Sequence, residues 1–264
     1  MNNLGLKGQT RNEERSWIDG CFISKISRSR VLALVSEWID QGKRNKYITA
    51  INVSKLAMMQ KDKKLSDFVL NSSITIADGF PIYLATRLTG NPVPERITGV
   101  DLMEHLLKLA NDKQYTVYLL GSKPRVLNEV TNKLQYLYPD IAIAGSRDGY
   151  FRKEEELLVV QEISAARPDI LLVALGLPQK EYFIDNHRDQ LNAAVILPVG
   201  GAFDVLAGFK KRAPQWVQNA GIEWLWRSVY DRSRAALILS NVFSFTRIVI
   251  TEIIRQRLLG KRRN

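Results

Sequence analysis

Two places in this chain hold residues able to do chemistry at the end of an apolar run. Asp78 closes the run Ile74-Thr-Ile-Ala77 and is followed by Gly79-Phe80-Pro81. A carboxylate at a strand's carboxyl end, with a glycine after it, is placed to face a ligand; the competing reading is an N-cap for a helix over 82–88. The second place is Ala194-Val-Ile-Leu-Pro-Val199, which ends in Gly200-Gly201 with Asp204 close behind. Glycines there let backbone N–H groups approach an anionic ligand. Lys210, Lys211, Arg212, Trp216, Trp224, Trp226 and Arg227 follow, a mixture of cations and indoles suited to an anionic, partly apolar surface. A third stretch, Pro94-Glu-Arg96-Ile-Thr98-Gly99-Val-Asp101, offers Arg96 for an anionic group and Thr98 or Asp101 as a helix cap.

Other chemistries lack their residues. The two histidines, His105 and His187, sit in no cluster with metal-ligand spacing, so no metal site is expected. There is no G-x-S-x-G, no G-x-G-x-x-G after a strand, no Walker A sequence and no Asp-x-Asp. These absences count against a serine hydrolase, a dinucleotide dehydrogenase, a P-loop enzyme and a sugar-nucleotide enzyme that grips a divalent metal through that motif.

The elements that would position these residues alternate regularly. Strand-like runs at 47–51, 74–77, 115–120, 141–144, 170–175 and 194–199 are separated by helical patterns at 53–60, 82–88, 100–110, 127–137, 154–166 and 181–191. Continuous apolar strands between helices predict an α/β fold, a mostly parallel Rossmann-like sheet flanked by helices. Ligands of such sheets bind at the carboxyl ends of the strands, which singles out Asn52, Asp78, Gly121, Gly176 and 200–204.

Charge divides the chain unevenly. Of the net +11, residues 208–264 carry +9, with twelve Lys or Arg against Glu223, Asp231 and Glu252. The expected organisation is a core over 1–207, with a flexible arm at 1–18, and a basic, helical, amphipathic appendage over 208–264. From Ala235 onward apolar residues dominate, with arginines between them. That pattern fits a helix lying in a membrane interface, or one packed on the core or on a sister subunit. No run of about 18 apolar residues exists, so no transmembrane helix is expected. The single cysteine, Cys21, rules out an intramolecular disulfide, and the polar N-terminus lacks the features of a signal peptide. With neither a helix-turn-helix signature nor an aromatic stacking surface, nucleic acid is not an expected partner.

The ordered set Ala77-Asp78-Gly79, Arg96-Ile-Thr-Gly99-Val-Asp101-Leu, Leu120-Gly121-Ser122, Asp148-Gly149-Tyr150-Phe151, Gly176-Leu-Pro178, Gly200-Gly201-x-Phe203-Asp204, Arg212-Ala213-Pro214-x-Trp216 and Glu223-Trp224-Leu225-x-Arg227 resembles the WecG/TagA/CpsF family of bacterial glycosyltransferases, glycosyltransferase family 26, over about residues 20–234. The resemblance implies an inverting, metal-independent transfer of a sugar from a UDP-sugar to an undecaprenyl-diphosphate-linked acceptor. The sugar would be of the N-acetylmannosamine type, or a related hexose or uronic acid. The setting would be surface polysaccharide or teichoic acid synthesis, peripherally on the cytoplasmic face of the bacterial inner membrane, with no cofactor beyond the donor and with self-association of the chain. The alternative is a non-catalytic lipid- or nucleic-acid-binding module.

By the resemblance, Asp78 is the general base, Arg96 belongs to the active-site pocket, and Asp204 marks the nucleotide-binding strand end. The appendage targets the membrane and brings arginines to the diphosphate, with Arg212, Arg227 and Arg234 as candidates. Gly79, Gly121, Ser122, Gly176, Gly200 and Gly201 are expected to line the substrate, backbone N–H groups of the 121–122 and 200–201 pairs meeting the diphosphate. Two departures stand out. The family's Thr-x-Asn is here Ala50-Ile51-Asn52, which keeps only Asn52. Its Gly-x-Pro-x-Gln-Glu is here Gly176-Leu177-Pro178-Gln179-Lys180-Glu181, with lysine in the glutamine position, so either Gln179 or Lys180 takes that role.

Overall fold

In the structure, a computed structural model, residues 14–214, 217, 245–247, 249–251 and 253–254 are described. Six parallel strands form one sheet: β3 (Lys46–Ile51), β4 (Ile74–Ala77), β5 (Thr116–Gly121), β6 (Ala142–Arg147), β7 (Ile170–Ala174) and β8 (Val195–Pro198), in the order β4-β3-β8-β7-β5-β6. A separate antiparallel hairpin, β1 (Arg15–Ile18) and β2 (Cys21–Ser24), precedes them. Residues 15–18 are therefore a strand rather than part of a flexible arm. Ile18, Cys21 and Ile23 insert into the core, which holds the hairpin in place.

Alternation along the strands explains why both faces need cover. Leu171 and Val173 of β7 point into one core cluster and Ile170, Leu172 and Ala174 into the other. The first cluster is closed by α2 (Val53–Met59), α3 (Lys63–Leu70), α4 (Phe80–Leu88), α7 (Glu156–Ala166) and α8 (Gln179–Leu191). The second is closed by α1 (Arg28–Asp40), α5 (Gly99–Lys113), α6 (Pro124–Leu137) and the short α9 (Ala202–Leu206). Each fully buried Leu, Ile, Val or Phe contributes about 1.5–3 kcal/mol before chain entropy is counted. Local chemistry starts the helices: Ser27, Asn52, Asp62 and Thr98 accept backbone N–H bonds at the first turns of α1, α2, α3 and α5, and Pro124 opens α6.

The topology opens a crevice at the carboxyl end of β8. The chain leaves β8 toward α9 on one face of the sheet, while the neighbouring strands β3 and β7 lead to α2 and α8 on the other. Where adjacent connections part in this way, a crevice forms at the strand ends, the place where ligands of such sheets bind.

Of the segment from 208 onward, the described helical residues place Phe245, Val249 and Ile253 against the first core cluster, while Ile250 and Ile254 stay exposed. These residues pack on the core, one of the two arrangements open to an amphipathic helix. Among the described residues no helix is long and apolar enough to cross a membrane.

Candidate active site

Along the carboxyl edge the expected residues stand in strand order: Asp78 after β4, Asn52 after β3, Gly200 after β8, Gly176 after β7 and Gly121 at the end of β5. With strands about 4.8 Å apart, Asp78 and Gly200 are roughly 10 Å apart in this row, and Gly121 lies roughly twice as far away.

Asp78 is pinned by its backbone, whose N–H donates to the Ile51 carbonyl at 2.8 Å. Its Oδ1 accepts the Gly99 N–H at 3.4 Å, at the start of α5. It does not cap α4: Gly79 holds that position, at φ 93°, and no side chain caps the helix. The capping alternative for Asp78 is thereby removed. Asn52 does cap, its Oδ1 accepting the Lys55 N–H at 2.9 Å, so its carbonyl oxygen serves α2. Arg96 lines a cleft together with Phe80, Tyr83, Pro94 and Glu95.

Beneath this edge lies a charged group that reading the sequence did not find. Glu181, fully buried in the first turn of α8, holds two ammonium groups on Oε1, Lys55 Nζ at 2.8 Å and Lys180 Nζ at 3.1 Å. Lys55 also donates to Thr49 Oγ1 at 3.1 Å. The described residues bring no hydrogen bond to Glu181 Oε2. Lys55 belongs to α2 and Glu181 to the Gly176–Glu181 run, and the only local hint was an acid and a lysine at positions that helical patterning would bury. The motif's glutamine position is filled by Lys180, which is buried, while Gln179 is exposed, with Oε1 3.5 Å from where a Cβ on Gly176 would stand. The side chain of Lys180 reaches the β8 end: a Cβ on Gly200 would lie 3.8 Å from its Cε and 4.0 Å from its Nζ. Burial holds the Lys180 pKa below the ordinary 10.5, the carboxylates of Glu181 and Asp78 opposing that drop and the Lys55 charge adding to it.

The 121–122 pair behaves differently from expectation. A Cβ on Gly121 would stand 2.6 Å from the Ala174 backbone, so that glycine is required by strand packing. The Ser122 N–H donates to the Ala174 carbonyl at 3.0 Å and the Ser122 carbonyl accepts from Gly149 N–H at 2.9 Å. The backbone donor expected of Ser122 is spent inside the sheet and cannot meet a diphosphate. At the other pair, the Gly200 N–H donates to the Val173 carbonyl at 3.4 Å. Asp204, in the first turn of α9, is 3.6 Å from the Lys210 ammonium.

Arg212 is bound to Asp101, with Glu104 Oε2 at 3.7 Å, on α5. Burial alone would raise the Asp101 pKa, but its bonds from Arg212 and Thr98 outweigh that and lower it; burial raises Glu104 against the pull of Arg212. Thr98 caps α5 by accepting the Asp101 N–H at 3.1 Å, and its hydroxyl donates to Asp101 Oδ2 at 2.7 Å. The structure thus places Arg212 on the start of α5, one turn beyond the Gly99 that touches Asp78. Arg227 and Arg234 lie outside the described residues.

The arrangement joins a strand-end carboxylate, a buried cation beside a glycine turn and an aromatic cleft. Comparison with known proteins shows the family. The family model described as "Glycosyl transferase WecG/TagA/CpsF family" matches residues 17–259. An N-acetylglucosaminyldiphosphoundecaprenol N-acetyl-beta-D-mannosaminyltransferase of Bacillus subtilis (strain 168) is 37% identical over 219 residues, 83% of this chain and 84% of its own. Its counterpart in Bacillus spizizenii (strain ATCC 23059 / NRRL B-14472 / W23) is 33% identical over 220 residues, 83% and 84% of the two chains. The Staphylococcus aureus (strain NCTC 8325 / PS 47) enzyme of that name is 32% identical over 201 residues, 76% and 78%. The chain belongs to the WecG/TagA/CpsF family and is a glycosyltransferase.

Proposed function

We propose that this glycosyltransferase moves an N-acetylmannosamine-type sugar from a UDP-sugar to an undecaprenyl-diphosphate-linked amino sugar, with inversion and without a metal. The observation that carries this reading is a strand-end carboxylate, Asp78, on the same sheet edge as a buried lysine, Lys180, whose ammonium lies beside Gly200. The names of the relatives supply the acceptor and the sugar.

The chemistry follows from those charges. The acceptor hydroxyl attacks the anomeric carbon as Asp78 takes its proton, and the bond from that carbon to the departing diphosphate oxygen breaks. Negative charge gathers on the nucleoside diphosphate as it leaves. The Lys180 ammonium and the backbone at Gly201 meet that charge in a water-poor setting, where a fixed cation acts more strongly than in solvent. Glu181 keeps Lys180 extended toward the edge, and Lys55 holds Glu181. Because the acceptor is a membrane lipid, the +9 segment from 208 onward brings the enzyme to the anionic cytoplasmic leaflet as a peripheral protein.

The test is transfer from UDP-N-acetylmannosamine to a lipid-linked N-acetylglucosamine acceptor. Asp78→Asn should lower turnover by roughly 10²–10⁴-fold, the range of general-base catalysis, with UDP affinity nearly unchanged. Near-normal turnover in that variant removes Asp78 from the mechanism.

A further inference from the structure

The first turn of α5 is the element that touches Asp78. The Gly99 N–H donates to Asp78 Oδ1 at 3.4 Å, so the positive end of a 15-residue helix meets the carboxylate. The same helix start carries two acids. Asp101 lies about 3 Å along the axis from Gly99, and Glu104 about 7.5 Å. By themselves they set two negative charges behind a base that must be negative to accept a proton.

Arg212 answers both acids from outside the helix. It lies 111 residues beyond Asp101, in the chain that follows α9. Its guanidinium binds Asp101 Oδ1 and stands 3.7 Å from Glu104 Oε2. Burial pushes the Asp101 carboxyl up, but the bonds from Arg212 and Thr98 and the charges of Arg212 and Arg96 hold it below the ordinary range. Burial raises Glu104, with Arg212 opposing and Asp101 adding to the rise. On this flank of Asp78, two acids therefore meet two arginines and the net charge is zero. The other flank holds Lys180, whose ammonium feels the Asp78 charge, with Glu181 and Lys55 behind it. Glu95, bound by the Arg28 N–H, precedes α5, and His105 Nδ1 lies 2.6 Å from the Asp101 carbonyl.

We infer that Arg212 is a positioning residue for the reaction: it cancels the acids at the start of α5, so that the Gly99 end of that helix favours the ionised form of Asp78. The segment that leaves the core after α9 thus also sets the charge beside the base. The inference rests on the functional reading above, which makes Asp78 the base. It replaces the diphosphate role expected of Arg212 by one exerted through α5.

The pH profile of kcat/KM for transfer from UDP-N-acetylmannosamine tests it. Arg212→Gln leaves this flank one charge negative, and the acid limb should move up by about half to one pH unit, a roughly three- to tenfold loss on that limb. Glu104→Gln leaves it one charge positive and should move the limb down. The double variant Arg212→Gln/Glu104→Gln is neutral again and should return the limb to its wild-type place, although the ion pair is gone. Arg212→Lys keeps the charge without the planar fork and should hold the wild-type limb. UDP affinity by calorimetry should be the same in all four.

A loss in Arg212→Gln that is equal at every pH, with no rescue by Glu104→Gln, overturns the inference and reduces Arg212 to packing. Tenfold weaker UDP binding with an unmoved limb also overturns it and returns Arg212 to the diphosphate. If a thermal melt shows that Arg212→Gln does not fold, Glu104→Gln decides alone, and an unmoved limb in that variant counts against the inference. Asp78→Asn separates the two levels. Near-normal turnover there sinks the functional reading and this inference with it. An inactive Asp78→Asn beside an unmoved limb in Arg212→Gln sinks the inference only.

Discussion

Lys180 and Gly200 meet at the carboxyl edge of the sheet, the lysine Nζ 4.0 Å from where a Cβ on the glycine would stand. One is the first buried residue of α8 and the other the turn after β8, so the contact joins the two connections that leave the sheet on opposite faces. It puts a cation, rather than the neutral amide usual in the family's motif, at the place proposed for the leaving diphosphate.

Lys180→Gln should weaken UDP binding by roughly 10- to 100-fold, the cost of losing a hydrogen-bonded charge contact. The pH dependence gives a sharper reading. Burial lowers the Lys180 pKa, with Glu181 and Asp78 opposing, so the free enzyme loses this proton below 10.5. UDP affinity should fall as pH climbs through the lowered Lys180 pKa, whereas Lys180→Arg should bind without that loss. Folding stability carries the opposite sign: the lowered pKa penalises the protonated fold, and the penalty lifts as pH rises through it. Titration of UDP by calorimetry from pH 7 to pH 10 decides; a flat profile in the wild type removes Lys180 from the diphosphate.

Glu181→Gln should destabilise the chain by about 3–5 kcal/mol in urea unfolding, because Lys55 and Lys180 would then be buried together without a carboxylate. A cost below about 1 kcal/mol, the level of an exposed ion pair, would mean that water already reaches the pair.

Two glycines of the strand edge should respond differently to alanine. At Gly121, φ is +114° and the new methyl would stand 2.6 Å from the Ala174 backbone, so strain and overlap combine to cost roughly 2–5 kcal/mol. At Gly200 the space is ordinary and only φ +54° resists, at about 1–2 kcal/mol. Thermal melts should rank them in that order, and only Gly200→Ala should also weaken UDP binding.

Replacing Arg255, Arg257 and Lys261 by glutamine should reduce binding to vesicles rich in anionic lipid by roughly 100-fold, at about 1 kcal/mol per cation. Sedimentation in low and high salt measures it. This variant is preferable to truncation at 235, which would also strip Phe245, Val249 and Ile253 from the core they cover. Unchanged sedimentation would rule out electrostatic membrane binding by this segment.

Much of the architecture was legible because its signals are local. Continuous apolar runs closed by glycine or a cap residue mark β3 to β8, and the helical spacing between them marks α2 and α4 to α8. Strand ends follow directly, and Asp78, Asn52, Gly176 and Gly200 were found by that route. The hairpin, α1, α3 and α9 were not: all but the 13-residue α1 are short, and β1 and β2 become strands only because Ile18, Cys21 and Ile23 insert into a core assembled elsewhere.

The amino-acid order by itself determined which residues stand at the carboxyl ends of strands, because a strand and its glycine turn are specified within about ten residues. Only the tertiary structure decided which of them can act together. Strand order placed β8 between β3 and β7 and brought Lys180 to Gly200. Strand pairing brought the starts of α2 and α8 close enough for Lys55 to reach Glu181, and α5 set Gly99 on Asp78. It also removed the Ser122 N–H from the pool of ligand donors by giving it to Ala174. Such pairings depend on burial and on strand order, quantities that no local pattern of residues contains.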